Sequence, residues 1–280
     1  MKRIFGKVYL FSVAFILAIP LVFFPHVALA TEYTFTSIDV TNSTVTQAYG
    51  INNSGDIVGL YHDATGGHGF LYVGGSFTPT DVPGSSLTYA YGINNSGNIV
   101  GYYQGATVWG YQGFLDVGWN FTTINVPGSS PTSTLAYGIN YSGNIVGFYA
   151  GTTGGGYQGF LDVGGNFTTI NVPGAINTYA YGINDSGDIV GVYSDAGGAE
   201  HGFLYAGGNF TTVDVPGSTL TRAFGINDSG NIVGTYNDVM DAMSVGHGFV
   251  ASPVPEPATM LLLASGMMGL AGLRKKWRSV

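Results

Sequence analysis

His68, His201 and His247 each open the phrase His-Gly-Phe, and a recurring imidazole is a residue type suited to proton transfer or metal ligation. Gln112 and Gln158 fill the same slot in two further copies of the phrase. An amide supplies hydrogen bonds without titrating, so the slot reads as structural. No histidine stands beside a serine and an acid in a recognisable nucleophile motif, and the recurrent Ser-Gly belongs to turns. Cysteine is absent, which excludes thiolate ligands, a cysteine nucleophile and a disulfide framework. No catalytic residue is assigned.

Asn184-Asp185-Ser186-Gly187-Asp188 sets side-chain oxygens at alternate positions, as part of a calcium loop does. The equivalent Asn140-Tyr141-Ser142-Gly143-Asn144 has no carboxylate, so calcium on every copy is excluded. One calcium candidate is left, Asp185 with Asp188, and no other cofactor is expected. Tryptophan faces suit sugar rings, whose C–H groups pack on the π surface. Trp109 and Tyr111 share one loop and are the better candidates for ligand contact, whereas Trp119 falls in a tight turn at the opposite end of its unit. Asp63, Asp195, Glu200, Asp238 and Asp241 depart from the repeat and fall in loops that could share one rim. A glycosidase needs two or three such carboxylates, so a glycan-processing enzyme is kept as an alternative to a non-enzymatic protein.

The elements that position these residues come from a repeat. The phrase Ala48-Tyr-Gly-Ile-Asn-Asn-Ser-Gly-Asp-Ile-Val-Gly59 returns at Ala90, Ala136, Ala180 and Ala223, spaced by 42, 46, 44 and 43 residues. Asn52-Asn53-Ser54-Gly55 has the chemistry of a type I hairpin turn, with Asn able to bond its own backbone and Gly free to take positive φ. It joins strand a (Ala48–Asn52) to strand b (Asp56–Tyr61). Gly74-Gly75 joins strand c (His68–Val73) to strand d (Phe77–Val82), and Pro83 ends the last. Apolar residues on both faces of strand b suit a sheet packed between two similar sheets.

The expected fold is all-β, a five-bladed β-propeller of four-stranded repeats about 44 residues long. The chain opens with a lone d-type strand, Phe35–Val40, and its last unit has only a, b and c (Ala223–Val250). The first strand is therefore expected to close the last blade. A β-solenoid is the alternative, although parallel coils have no need of two hairpins per repeat.

Charge is segregated. Of 8 basic residues only Arg222 lies between 31 and 252, where all but one of the 16 acids are found. Such a surface repels phosphate backbones, so no nucleic-acid partner is expected. Residues 1–30 read as a secretory signal, with Ala28 and Ala30 suiting signal peptidase and Thr31 the mature start. At the other end, Pro255-Glu256-Pro257 precedes an apolar helix expected over 258–273 and the basic Arg274, Lys275 and Lys276. Sixteen helical residues span about 24 Å, enough for a short membrane anchor with snorkelling flanks. The domains are thus 1–30, the array 31–252 and the tail 253–280.

This tail resembles the PEP-CTERM sorting signal of Gram-negative bacteria. The resemblance implies an inner-membrane intermediate, processing by an exosortase-type enzyme and a secreted or cell-surface destination. The internal phrases resemble the HAF repeat of bacterial extracellular proteins, which implies secretion and brings no established chemistry. Together they point to a surface or matrix protein whose partners are exopolysaccharide or other matrix proteins, with a purely structural coat protein as a further alternative.

Overall fold

The computed structural model describes residues 36–107, 110–151, 155–238 and 246–253. The chain divides into two compact units, Met1–Ser37 and Ile38–Val280, and every described strand lies in the second. There are no helices among the described residues, so none is long and apolar enough to cross a membrane. The signal 1–30 and the tail helix expected over 258–273 lie outside them.

The Asn-x-Ser-Gly phrase folds as its side chains require. Asn52 Oδ1 accepts the N–H groups of Ser54 and Asp56 (3.0 and 2.9 Å), and the Gly55 N–H donates to Asn52 O (3.1 Å). Gly55 has a φ of 84°, a left-handed conformation that a side chain would strain. This turn joins β1 (Val45–Ile51) to β2 (Ile57–His62), and β3 (Gly67–Val73) and β4 (Ser76–Pro79) complete an antiparallel sheet. Sheet two repeats the plan with β5 (Ser85–Ile93), β6 (Ile99–Gly105), β7 (Gln112–Val117) and β8 (Asn120–Ile124), and a single parallel pairing of Gly67 with Leu87 joins it to sheet one in a continuous eight-stranded sheet. Sheet three has β9 (Ser129–Ile139), β10 (Ile145–Gly151), β11 (Tyr157–Val163) and β12 (Asn166–Ile170). Sheet four has β13 (Asn177–Ile183), β14 (Ile189–Ser194), β15 (Glu200–Ala206) and β16 (Asn209–Val213). Sheet five holds β17 (Ser218–Ile226), β18 (Ile232–Asp238) and β19 (Gly246–Ala251). The fourth strands are shorter than expected: β4 stops at Pro79, which has no N–H to donate, although the Thr80 N–H still reaches Gly69 O at 2.9 Å.

The core lies between consecutive sheets. Val58 and Val82 of the first pack with Ala90, Ile93 and Ile99 of the second. Val146 and Ile170 of the third pack in the same way with Ala180, Ile183 and Ile189 of the fourth. Small residues in each first strand allow this approach: a Cβ on Gly92 would lie 2.7 Å from Tyr137 O of the next sheet. Buried asparagines tie the seams. Asn94 Nδ2 donates to Asn140 O and Asn140 Nδ2 to Asn184 O, both at 3.1 Å.

The two ends of the series differ from its interior. Ile51 is 67% exposed where Ile93 is 8%, and Val233 is 47% exposed where Val58, Val100, Val146 and Val190 are fully buried. The expected closing strand is not formed. Among the described residues, 36–40 are not in a strand, sheet five has three strands, and the sheets are not closed into a ring. What does form is the turn after that segment: Ser43 N–H donates to Val40 O and Val40 N–H to Thr46 Oγ1, both at 3.1 Å. That turn is local and needs no neighbouring sheet, whereas a strand would need the edge of β19 beside it.

Candidate functional site

Each first strand carries a β-bulge immediately after its alanine. Ala90 pairs with Gly101 and Gly92 with Val100, so Tyr91 is the extra residue. A bulge re-aims a side chain, and here it does so once per sheet. Tyr49, Tyr91, Tyr137, Tyr181 and Phe224 form a row with ring centroids 4.5, 4.6, 5.1 and 5.4 Å apart and line one cavity of about 410 Å³. Behind them Tyr102 and Phe148 add further rings, and the Tyr91 and Tyr102 hydroxyls lie 3.2 Å apart. Burial raises the pKa of Tyr91, Tyr102 and Tyr137, and pushes Tyr181 up to about 12. All four are neutral phenols at physiological pH, so the row offers flat apolar faces and hydroxyls rather than acid–base chemistry.

A second cavity, of about 390 Å³, shares Tyr181 and Phe224 with this one and adds Tyr179, Val192, Glu200 and Arg222. Arg222 Nε donates to Glu200 Oε2 at 2.5 Å across the seam between sheets four and five. The slots of this pair hold Tyr157 and Tyr179 at the preceding seam, where the two rings pack 5.4 Å apart. Sequence reading marked Arg222 as the one base of the array and Glu200 as a departure from the repeat. Their pairing was not visible because it joins residues 22 positions apart through a seam register.

The residues expected to bind ligand are not brought together by described geometry, since Trp109 lies outside the described residues. Tyr111 is 39% exposed, packs edge-on to Tyr102 at 5.1 Å and bridges to Ser133 of sheet three. Trp119 sits in the expected tight turn with a φ of 69°. Both acids of the calcium candidate have hydrogen-bond partners, one across the seam and one within the turn. Asp185 Oδ1 accepts the Tyr141 N–H at 2.8 Å, and Asp188 Oδ2 accepts from Asn184 Nδ2 at 3.1 Å. No group of three His, Asp or Glu side chains suited to a metal ion occurs among the described residues.

The histidine slot is bracketed by acids. His68 Nδ1 donates to Asp81 Oδ2 at 2.7 Å, its Nε2 lies 3.4 Å from Asp63, and its ring stacks on Tyr61. His201 repeats this with Asp214 at 2.7 Å, Asp195 at 3.6 Å and Tyr193. The hydrogen bond to Asp214 raises the His201 pKa, and backbone N–H groups, led by that of Ala199, lower that of Asp195. A signal for this was present in the sequence: the 13-residue spacing recurs at both pairs, and Asn125 and Asn171 replace the acid where glutamine replaces histidine.

Residues 253–276 match the PEP-CTERM protein-sorting motif. That motif is the recognition signal for exosortase processing and implies export to a cell-surface or membrane-associated destination in Gram-negative bacteria. No curated protein matches the chain. Among solved structures, a variant of the Aleuria aurantia lectin in complex with Fucα1-6GlcNAc is similar over 76% of this chain and 80% of its own, at 13% identity and a TM-score of 0.45. The fucose-specific lectin from Aleuria aurantia covers 76% and 78% at 15% identity and 0.43. An endo-arabinase from Bacteroides thetaiotaomicron VPI-5482 covers 72% and 90% at 11% and 0.34. Likeness at this level says nothing of a ligand, which must be argued from this chain's own side chains.

Proposed function

We propose that this is a non-enzymatic surface or matrix protein of HAF-type repeats, retained at the inner membrane by its tail until an exosortase-type enzyme processes it. Its strand array binds or scaffolds exopolysaccharide. The observation that carries the binding role is the row of five aromatic rings, one per sheet, lining a single cavity. A hydroxyl-edged aromatic surface suits sugar rings better than it suits ions or purely apolar ligands. A non-enzymatic role is supported by the acids that depart from the repeat. Asp63 and Asp195 accept hydrogen bonds from their own loops, and Glu200 is paired with Arg222.

The proposal includes closure of the array as a five-bladed propeller, with residues 35–40 as the fourth strand beside β19. Two observations support it. Ile51 and Val233 present the same two faces that meet at every interior seam. The d-type slot of residues 35–40 holds Asp39, and the two described histidine-type units also place an acid there, Asp81 and Asp214. His247 fills the histidine slot of the unit that this segment would complete.

Replacing Pro255-Glu256-Pro257 with alanines should leave the tail uncleaved in cells; unchanged processing would overturn the sorting assignment. The binding assignment is tested by sedimenting the full chain, in mild detergent, with the producing organism's matrix polysaccharide, with and without calcium. Saturable binding is expected. Its absence in both conditions leaves a structural coat protein without a ligand.

A further inference from the structure

We propose that the Glu200–Arg222 seam is a subsite for a neutral sugar unit carrying adjacent hydroxyls. This inference rests on the reading that the array binds polysaccharide, and it names the place and the class of sugar. The fourth seam departs from the repeat in three positions at once. Arg222 stands where the other sheets have Gln47, Tyr89, Leu135 and Tyr179, Glu200 where they have Gly67, Tyr111, Tyr157 and Gly246, and Phe224 where the other four have tyrosine, so only this seam sets a cation against an anion. A change confined to packing would not need a cation, an anion and the loss of a hydroxyl beside one cavity.

The chemistry of the three fits one ligand class. Arg222 spends its Nε on Glu200, and among the described residues its two Nη groups donate to nothing. A planar guanidinium with two free amino groups matches a pair of neighbouring oxygens. The free lone pairs of the Glu200 carboxylate can accept from a sugar hydroxyl. Phe224, 42% exposed, offers a flat apolar face to the sugar's C–H groups, with Tyr179 and Tyr181 on the adjoining walls. The cavity of about 390 Å³ is of the size that holds small ligands.

Charge selects the neutral sugar over an acidic one. The ion pair leaves the subsite with no net charge. The array carries no other Lys or Arg and many acids, so a uronate polymer would approach against a predominantly acidic field.

The test is affinity electrophoresis of the full chain, in mild detergent, through gels holding dextran, galactomannan or laminarin, with polygalacturonate as the acidic probe. Retardation by at least one neutral polymer and none by polygalacturonate is expected. Arg222→Tyr introduces the residue that sheets two and four already accommodate, so its fold is protected by precedent. It should weaken the neutral interaction at least tenfold. Glu200→Gln frees the guanidinium of its counter-charge and should create retardation by polygalacturonate. A tie between sheets, with no subsite, would lower the melting temperature in both variants and leave mobility unchanged, which would overturn the inference. Neutral binding that survives Arg222→Tyr but is lost in Tyr137→Ala would also overturn it, while the polysaccharide-binding reading stands. Absence of retardation by every polymer, together with no sedimentation with the native matrix polysaccharide, would overturn both.

Discussion

Removing the Asn140 side chain should cost far more than the exposure of its turn suggests. Its amide group is 4% exposed and does two jobs: Oδ1 accepts the Asn144 N–H at 2.9 Å within the turn, and Nδ2 donates to Asn184 O of the next sheet at 3.1 Å. Asn140→Ala leaves the half-buried Asn144 N–H without its partner and removes the buried seam bond to Asn184 O, which keeps the Gly187 N–H at 3.1 Å. With about 1 kcal/mol for the half-buried N–H left unsatisfied and about 0.5–1.5 kcal/mol for the lost seam bond, the loss is about 1.5–2.5 kcal/mol. Asn227 provides the comparison. Its Oδ1 accepts from Ser229 and Asn231 at 3.1 and 2.9 Å, but it ends the series and is exposed. In an open array Asn227→Ala removes only a solvated turn bond, worth about 0.5–1.5 kcal/mol. In a closed ring its amide reaches Asn52 O of sheet one, and the cost rises to that of Asn140→Ala. Urea titrations of the two variants, compared at constant m-value, measure both. Closure predicts similar losses of about 1.5–2.5 kcal/mol for the two. A loss for Asn227→Ala that stays well below that of Asn140→Ala would refute the closed ring. A negligible loss for Asn140→Ala would refute the account of the seams.

Other consequences follow from single positions. His201 has its pKa raised, chiefly by the hydrogen bond to Asp214, so its contribution to stability is fully present below about pH 6.5 and is lost as pH rises through the folded-state value. Melting temperatures between pH 5 and 8 should fall more steeply for the parent than for His201→Gln; equal slopes would remove the histidine from the account. Trp119 holds a φ of 69° in a slot that Gly75, Gly165 and Gly208 fill at 85–91°, and it is 53% exposed, so little packing opposes its removal. Trp119→Gly should stabilise the array by about 0.5–1 kcal/mol, seen as a higher melting temperature, and a lower one would show that the indole packs usefully. Phe160 is fully buried at the second seam, and Phe160→Ala should cost about 3–5 kcal/mol in the same urea assay.

The hairpins were legible because a few residues impose them. Asn52 with Gly55, and the Gly74-Gly75 pair, leave the backbone little choice, and the strands between them follow from length and alternation. The row of aromatic rings was not legible. Tyr91 alternates with Ala90 and Gly92 as any strand residue would, and only the pairing of Ala90 with Gly101 and Gly92 with Val100 reveals it as a bulged residue. The Glu200–Arg222 pair was hidden for a related reason. Which third strand meets which first strand is set by the stagger between sheets, a tertiary quantity that no local pattern encodes. The acids beside the histidines lie between these cases, since a 13-residue spacing within one unit can be read once the repeats are aligned.

Five near-copies in one chain pose a register problem, because any third strand could in principle accept any fourth. Uneven spacings of 42–46 residues make wrong pairings strain their linkers. The side chains add a second discrimination. His68 and His201 each bond an acid, whereas the units with Gln112 and Gln158 carry Asn125 and Asn171 instead. A mispaired unit would set histidine against an amide and lose a charge-assisted bond at each of two places. Asp81 and Asp214 are about one-third exposed, so screening holds each loss to about 1 kcal/mol or less. That is too little to hold the fold together and enough to rank its alternatives by roughly fivefold per exchange.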